Sequence, residues 1–264
     1  MSGSPIVKDL PFVEHLEILR RKLIWIIAVM LIAGIAVFFF ADKLLVLMQE
    51  PMKKLAVDLI YLKPQEKFFT YIKLSFFAGL IIGFPFALVI LGSFVYPALK
   101  RSERKYFYIA SVFMPVFFFG GCLLSYLFFA PWVFEFLILF GGGDNIKALW
   151  SIGEYINLLM TVVVMIGIVF EVPWVLFFLI KFGVISVDTL AKHRRIIIVA
   201  IFIIAAVITP PDAVSQVIVG GTMYILFELT LLFARIGMKK AKKADGEDNE
   251  EETPPDDRGG KKKD

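Results

Sequence analysis

Residues 161–180 read TVVVMIGIVFEVPWVLFFLI, twenty consecutive positions of which only Glu171 carries a charge. A helix of about 20 residues rises ~1.5 Å per residue and so matches the ~30 Å hydrocarbon core of a bilayer. The stretch therefore reads as a membrane span, with one carboxylate near its middle. Inserting an acid there costs roughly 2.5 to 3.5 kcal/mol, so it needs a compensating partner or a use. Glu171 is accordingly the first candidate for a functional intramembrane polar site. The plainer alternative is an acid paired with another helix for packing alone.

The rest of the chain agrees with that class. Hydrophobic residues make up 59% of it, 28 of them Phe, and the mean hydropathy is +0.79, too apolar for a soluble domain. Cys122 is the single cysteine, so no disulfide framework and no cysteine metal site can form within one chain, and it reads as a small buried hydrophobe. Six apolar runs stand out, at 23–41, 72–96, 106–130, 156–180, 196–208 and 214–233. Arg20, Arg21 and Lys22 precede the first run, and Arg235, Lys239, Lys240, Lys242 and Lys243 follow the last. Lys100, Arg101, Arg104 and Lys105 lie between the second and third runs, and Lys181, Lys192, Arg194 and Arg195 between the fourth and fifth. The positive-inside rule puts all four regions, and both termini, in the cytoplasm. Asp42 to Tyr71, on the opposite side, is a misfit with five lysines, outvoted by the other segments.

The expected fold is an all-α integral membrane protein of six transmembrane helices, occupying residues 1–236. The tail at 237–264 is polar, charged and poor in aromatics, which predicts disorder. The first apolar run has the length of a full span, and Phe38-Phe39-Phe40-Ala41-Asp42 offers no small-residue cleavage site, so it is expected to stay as an anchor. Pro85, Pro115 and Pro173 should bend spans two, three and four, which points to a curved, cupped bundle.

Two of the three outer connections carry signals. Leu44, Leu45, Leu47 and Met48, then Leu55, Val57, Leu59 and Ile60, recur among charges on either side of Pro51, predicting two short amphipathic helices that cap the outer face. The run 196–208 covers only about 20 Å at ~1.5 Å per residue, so the final hairpin is short. Thr209-Pro210-Pro211-Asp212 joins its two helices, with Asp212 as N-cap. Gln216, one turn later, needs a hydrogen-bonding partner inside the membrane, from another subunit or from its own chain.

Two further acids sit at cytoplasmic helix starts. Glu103 opens the third span beside the positive end of its helix dipole, amid four cations, where a carboxylate could also receive an incoming guanidinium bidentately. Glu17 and Arg21 are spaced as an i,i+4 pair on an amphipathic helix that runs into the first span.

These residues gather into a family resemblance. His15-Leu16-x-x-Leu19-Arg20, Glu50-Pro51, Phe94-x-x-Pro97-Ala98-Leu99-x-x-x-Glu103-Arg104, Phe170-Glu171-Val172-Pro173 and Thr209-Pro210-Pro211-Asp212-x-x-Ser215-Gln216 together resemble the TatC family of twin-arginine translocase subunits, over roughly residues 12–235. The resemblance implies a cytoplasmic-membrane receptor that binds twin-arginine signal peptides and, with TatA-type and TatB-type single-helix subunits, exports folded proteins using the proton motive force. By the same resemblance, Glu103, Phe94, Arg20 and Glu17 belong to the signal-peptide site and Glu171 is the intramembrane polar residue. Thr209 and Gln216 would contact partner helices, while Pro51 and Asp212 serve the outer loops. The chain departs from the family pattern His-Leu-x-Glu-Leu-Arg: Ile18 holds the acidic position and Glu17 precedes it, ~100° away around the helix. A homo-oligomeric assembly in the lipid bilayer is implied, with no catalytic residue, metal, cofactor or nucleic acid.

The competing class is a secondary transporter or proton channel using Glu171, which predicts internal repeats, and the chain shows no repeated half. An intramembrane protease is suggested only by Gly141-x-Gly143-Asp144, in an outer loop and without a second Asp in any span. His15 and His193 flank spans on the cytoplasmic side and support neither metal nor serine chemistry.

Overall fold

The computed structural model describes residues 12–95, 101–141, 149–209 and 213–251. Span one is helix α1 (Phe12–Phe38), which takes up the amphipathic approach segment without a break. Two short helices follow, α2 (Ala41–Met48) and α3 (Glu50–Lys54), and then strand β1 (Leu59–Ile60). Span two is α4 (Glu66–Val95), with Pro85 inside it. Span three begins as α5 (Arg101–Leu124), widens into a π-helical turn at Ser125–Phe129 and continues as α6 (Ala130–Gly141). Pro131 accounts for the widening, since it brings no N–H to the Leu127 carbonyl and its ring would clash there in a regular helix.

After strand β2 (Trp150–Ser151), span four is α7 (Ile152–Val169) and α8 (Val172–Lys181), broken at Phe170 and Glu171. Pro173 again removes a donor. The chain tightens around it, with Glu171 N–H donating to Ile168 O and Trp174 N–H to Glu171 O, each at 3.0 Å. Lys181 is followed by a Schellman stop: Gly183 has φ +70°, its N–H donates to Ile180 O, and Val184 N–H donates to Leu179 O. Helix α9 (Val187–Lys192) leads to span five, α10 (Arg194–Ile208), and span six is α11 (Ala213–Glu251).

Among the described residues, five helical stretches are long and apolar enough to cross a membrane. Helix α10 falls short of them, with 15 residues or about 22 Å at ~1.5 Å per residue, so the final hairpin is short as expected. The six spans form a curved, cupped bundle.

Two sequence expectations need correction. The second amphipathic helix ends at Lys54, and Leu59 and Ile60 form a strand paired in parallel with Trp150 and Ser151. Helix α11 carries on to Glu251 through the segment 237–251 whose composition predicts disorder. A helix already nucleated in the span adds residues cheaply, and Lys, Ala and Glu are good helix formers.

The core has two centres joined by α7. Tyr155, Ile156, Leu159, Met160 and Val163 pack with Leu45, Met48 and Met52 of the outer helices and with Leu74, Phe118 and Phe134. Val162, Ile166 and Val169, on another face of the same helix, pack with Ile201, Ala205, Val219 and Phe227 of the hairpin. Large apolar side chains elsewhere point outward, among them Trp25, Ile32, Phe39 and Val207, a surface suited to lipid.

Spans one and two touch backbone to backbone. A Cβ on Gly79 would lie 2.6 Å from the Gly34 Cα, and one on Gly83 would lie 2.5 Å from the Met30 side chain. Small residues at such a contact let two membrane helices approach closely.

Candidate functional site

Glu171 sits in the break of span four, only 5% exposed, and neither carboxylate oxygen has a hydrogen-bond partner among the described residues. The carboxylate approaches the backbone of Phe118 in α5 without forming a hydrogen bond of proper geometry. The ion pairs found among the described residues are Lys53 with Glu50 and Arg194 with Glu228, so neither uses Glu171. One turn on, the Trp174 Nε1 donor is also buried without a partner. The Trp174 ring stacks on Phe113 at 5.7 Å and meets Phe117 edge-on at 5.5 Å. A buried acid and a buried indole donor, both unsatisfied and within one turn, form a polar point held in apolar walls. Such groups cost free energy until something bonds to them.

Near the start of α1, Glu17, Arg20 and Arg21 are exposed, and the Glu17–Arg21 spacing closes no ion pair among the described contacts. Lys22 Nζ donates to Ser93 Oγ at 2.6 Å, which ties α1 to the last turn of α4. Glu103 falls in the first turn of α5 and Phe94 in the last turn of α4. The side chains of both lie outside the described residues.

Pro51 is buried at the start of α3. Having no N–H, it leaves the Leu47 carbonyl without its helical donor, and the chain break frees the Met48 carbonyl too. Two tyrosines fill these places: Tyr126 Oη donates to Leu47 O at 2.7 Å, and Tyr155 Oη to Met48 O at 2.6 Å. Tyr126 comes from the π-helical turn and Tyr155 from α7, so spans three and four both hold the outer helices by their broken end.

Glu66 makes a second staple. Its Oε2 accepts from Leu62 N–H at 2.6 Å and Lys63 N–H at 3.2 Å, while Oε1 accepts from Gly153 N–H at 2.9 Å and from the Ser151 hydroxyl. One carboxylate thereby joins the connection before α4 to the one before α7, beside the β1–β2 pair. Neither Glu66 nor the tyrosines announce themselves in the sequence, because their partners are mostly backbone groups that only the fold brings near.

At the hairpin, Thr209 is buried and its hydroxyl donates to Ala205 O at 2.9 Å, while Gln216 Nε2 donates to Phe202 O at 3.2 Å. Both thus bond within their own chain here. Asp212 lies outside the described residues. A further acid inside a span, Glu228, does not stand out in its sequence context. It accepts from Arg194 at 3.0 Å and from the Tyr224 hydroxyl at 3.0 Å, closing α10 onto α11. The i,i+4 spacing of Tyr224 and Glu228 was the available signal. Among the described residues no group of three or more His, Cys, Asp or Glu side chains is gathered as a metal site.

Fold and site together define a multi-pass helical membrane protein with an unsatisfied acid in the break of its fourth span and with loops stapled to its helices. Comparison with known proteins narrows this. The family model described as Sec-independent protein translocase protein (TatC) matches residues 14–221. The Sec-independent protein translocase protein TatC of Magnetococcus marinus is 34% identical over 242 residues, covering 90% of this chain and 89% of its own. That of Carboxydothermus hydrogenoformans is 31% identical over 229 residues, covering 86% and 94%. A crystal structure of the twin arginine translocase receptor TatC matches with a TM-score of 0.76 at 34% identity, over 84% of this chain and 99% of that one. The chain belongs to the TatC family and is a membrane-embedded subunit of the Sec-independent protein translocase.

Proposed function

We propose that this chain is the receptor of its translocase, binding twin-arginine signal peptides at its cytoplasmic face and assembling with TatA-type and TatB-type single-helix subunits to export folded proteins. The observation that carries this reading is the likeness, along nearly the whole membrane domain, to a structure described as a twin arginine translocase receptor. The physical chemistry supports it. Glu103 in the first turn of α5 is favoured by the helix dipole and remains able to receive a guanidinium through paired charge-assisted hydrogen bonds. Glu17, exposed beside Arg20 and free of an ion pair with Arg21, offers a second acceptor, and Phe94 lies near the same inner end.

Both termini face the cytoplasm in this reading, the proton motive force drives transport, and several copies assemble in the cytoplasmic membrane. Glu171 is the intramembrane point that meets a polar group of a partner, while Thr209 and Gln216 exchange their own-chain bonds for contacts with partner helices.

The test is retention of the detergent-solubilised full chain on an immobilised twin-arginine signal peptide, beside a twin-lysine control. The arginine peptide should retain the protein and the lysine peptide should not, and Glu103→Gln should lose most of that retention without a change in thermal unfolding. Equal retention on both peptides would refute the receptor reading.

A further inference from the structure

An apolar groove of about 480 Å³ opens under the outer helix α2, between the end of α1, the middle of α4 and α7. Phe40 and Leu47 form its roof, Ala78, Ile82 and Val163 its wall, and Lys43 is the one charged side chain lining it among the described residues. Lys43 is exposed and forms no ion pair among those residues. Its neighbour Asp42 accepts instead from the Tyr71 hydroxyl, and Lys67 lies 5.5 Å above the Tyr71 ring. The mouth of the groove thus presents a cation whose adjacent acid is already engaged.

The dimensions select the occupant. Tyr71 marks the level of the mouth, and Ile82 lies eleven residues further along α4, a descent of about 16 Å at ~1.5 Å per residue. That is close to half of a ~30 Å hydrocarbon core, the depth of one leaflet. An apolar furrow one leaflet deep with a single cation at its mouth matches an acyl chain joined to an anionic headgroup.

We infer that the groove binds one anionic phospholipid, its acyl chain against Ala78, Ile82 and Val163 and its phosphate-bearing headgroup at Lys43. Assignment to the outer leaflet rests on the topology proposed above. The site gives a use to part of the lysine-rich outer connection that runs against the positive-inside rule: the cation near this end of α2 meets lipid anions. The bound lipid would also fill the space beneath α2, supporting the outer helices from below.

Native mass spectrometry of the purified full chain, incubated with phosphatidylglycerol or with phosphatidylcholine of the same acyl chains, tests the site. One phosphatidylglycerol should be retained about fivefold better than phosphatidylcholine, the factor expected for one basic residue at an anionic surface. Lys43→Gln should abolish that preference, Lys43→Arg should keep it, and Ile82→Trp should reduce retention of both lipids. Equal retention of the two lipids by the unmodified chain, or an unchanged preference in Lys43→Gln, would overturn the inference. A photo-crosslinking residue at position 82 should capture lipid in native membranes; capture of a protein helix, or of a second copy of this chain, would overturn it as well. Retention on the twin-arginine peptide, measured on the same Lys43→Gln sample, should be unchanged, so failure of the lipid site and failure of the receptor reading are told apart.

Discussion

A single side chain can be read by what its surroundings withhold. Glu171 is buried with both oxygens unpartnered, so an apolar residue of similar size removes a desolvated group without removing a bond. Glu171→Leu should therefore unfold no earlier than the parent chain in a detergent melt, and by the cost of an unsatisfied buried group could gain about 1–3 kcal/mol. Export by that variant should fall, measured as accumulation of unprocessed cargo; a variant that melts lower yet exports normally would make Glu171 a packing residue. Tyr155 is the opposite case. Its hydroxyl is 2.6 Å from the Met48 carbonyl in a site 1% exposed, so Tyr155→Phe should cost about 1–3 kcal/mol by the same melt. Glu171 and Pro51 were legible from sequence because each is the wrong residue for its local pattern. Tyr126, Tyr155 and Glu66 were not, since Tyr and Glu fit many environments and their acceptors and donors lie up to 107 residues away.

For helices and turns, the same physics explains which ones could be foreseen. The spans follow from hydropathy over twenty or so residues, a signal summed over many side chains. The two-residue strands β1 and β2 carry no comparable sum, and the π-helical turn depends on how one proline is relieved. Pro51 lets the logic be tested within one element. Restoring an N–H at that position gives the Leu47 carbonyl a helical donor, which competes with Tyr126. Pro51→Ala and Tyr126→Phe should each impair the outer helices. The tyrosine change should cost less in the Pro51→Ala background than alone, a coupling that a four-variant melt would reveal. Strict additivity would mean that the two groups do not share that carbonyl. The contact of α1 with α4 makes a cruder prediction: Gly79→Leu forces its Cβ toward the Gly34 Cα at 2.6 Å, so the spans must separate and the melting temperature should drop.

For the molecule as a whole, α7 connects two packing centres and ends at the unsatisfied acid, while the loop staple at Glu66 lies at the opposite end of α4 from the proposed peptide site. Changes at two sites at opposite ends of ~30 Å helices are expected to add. Glu66→Ala removes the acceptor that joins Leu62 and Lys63 to Ser151 and Gly153. Amide exchange should then quicken at residues 59–66 and 150–153, with the middles of α4 and α7 unchanged. Affinity for a twin-arginine peptide should stay at the parental value in Glu66→Ala, fall in Glu103→Gln, and fall by no more than that in the double variant. If Glu66→Ala alone weakens the peptide, the outer brace and the inner mouth are coupled through the bundle. The α4 and α7 helices, whose N-terminal ends Glu66 joins, would then be the route, because they are the spans that run from that staple through the bundle.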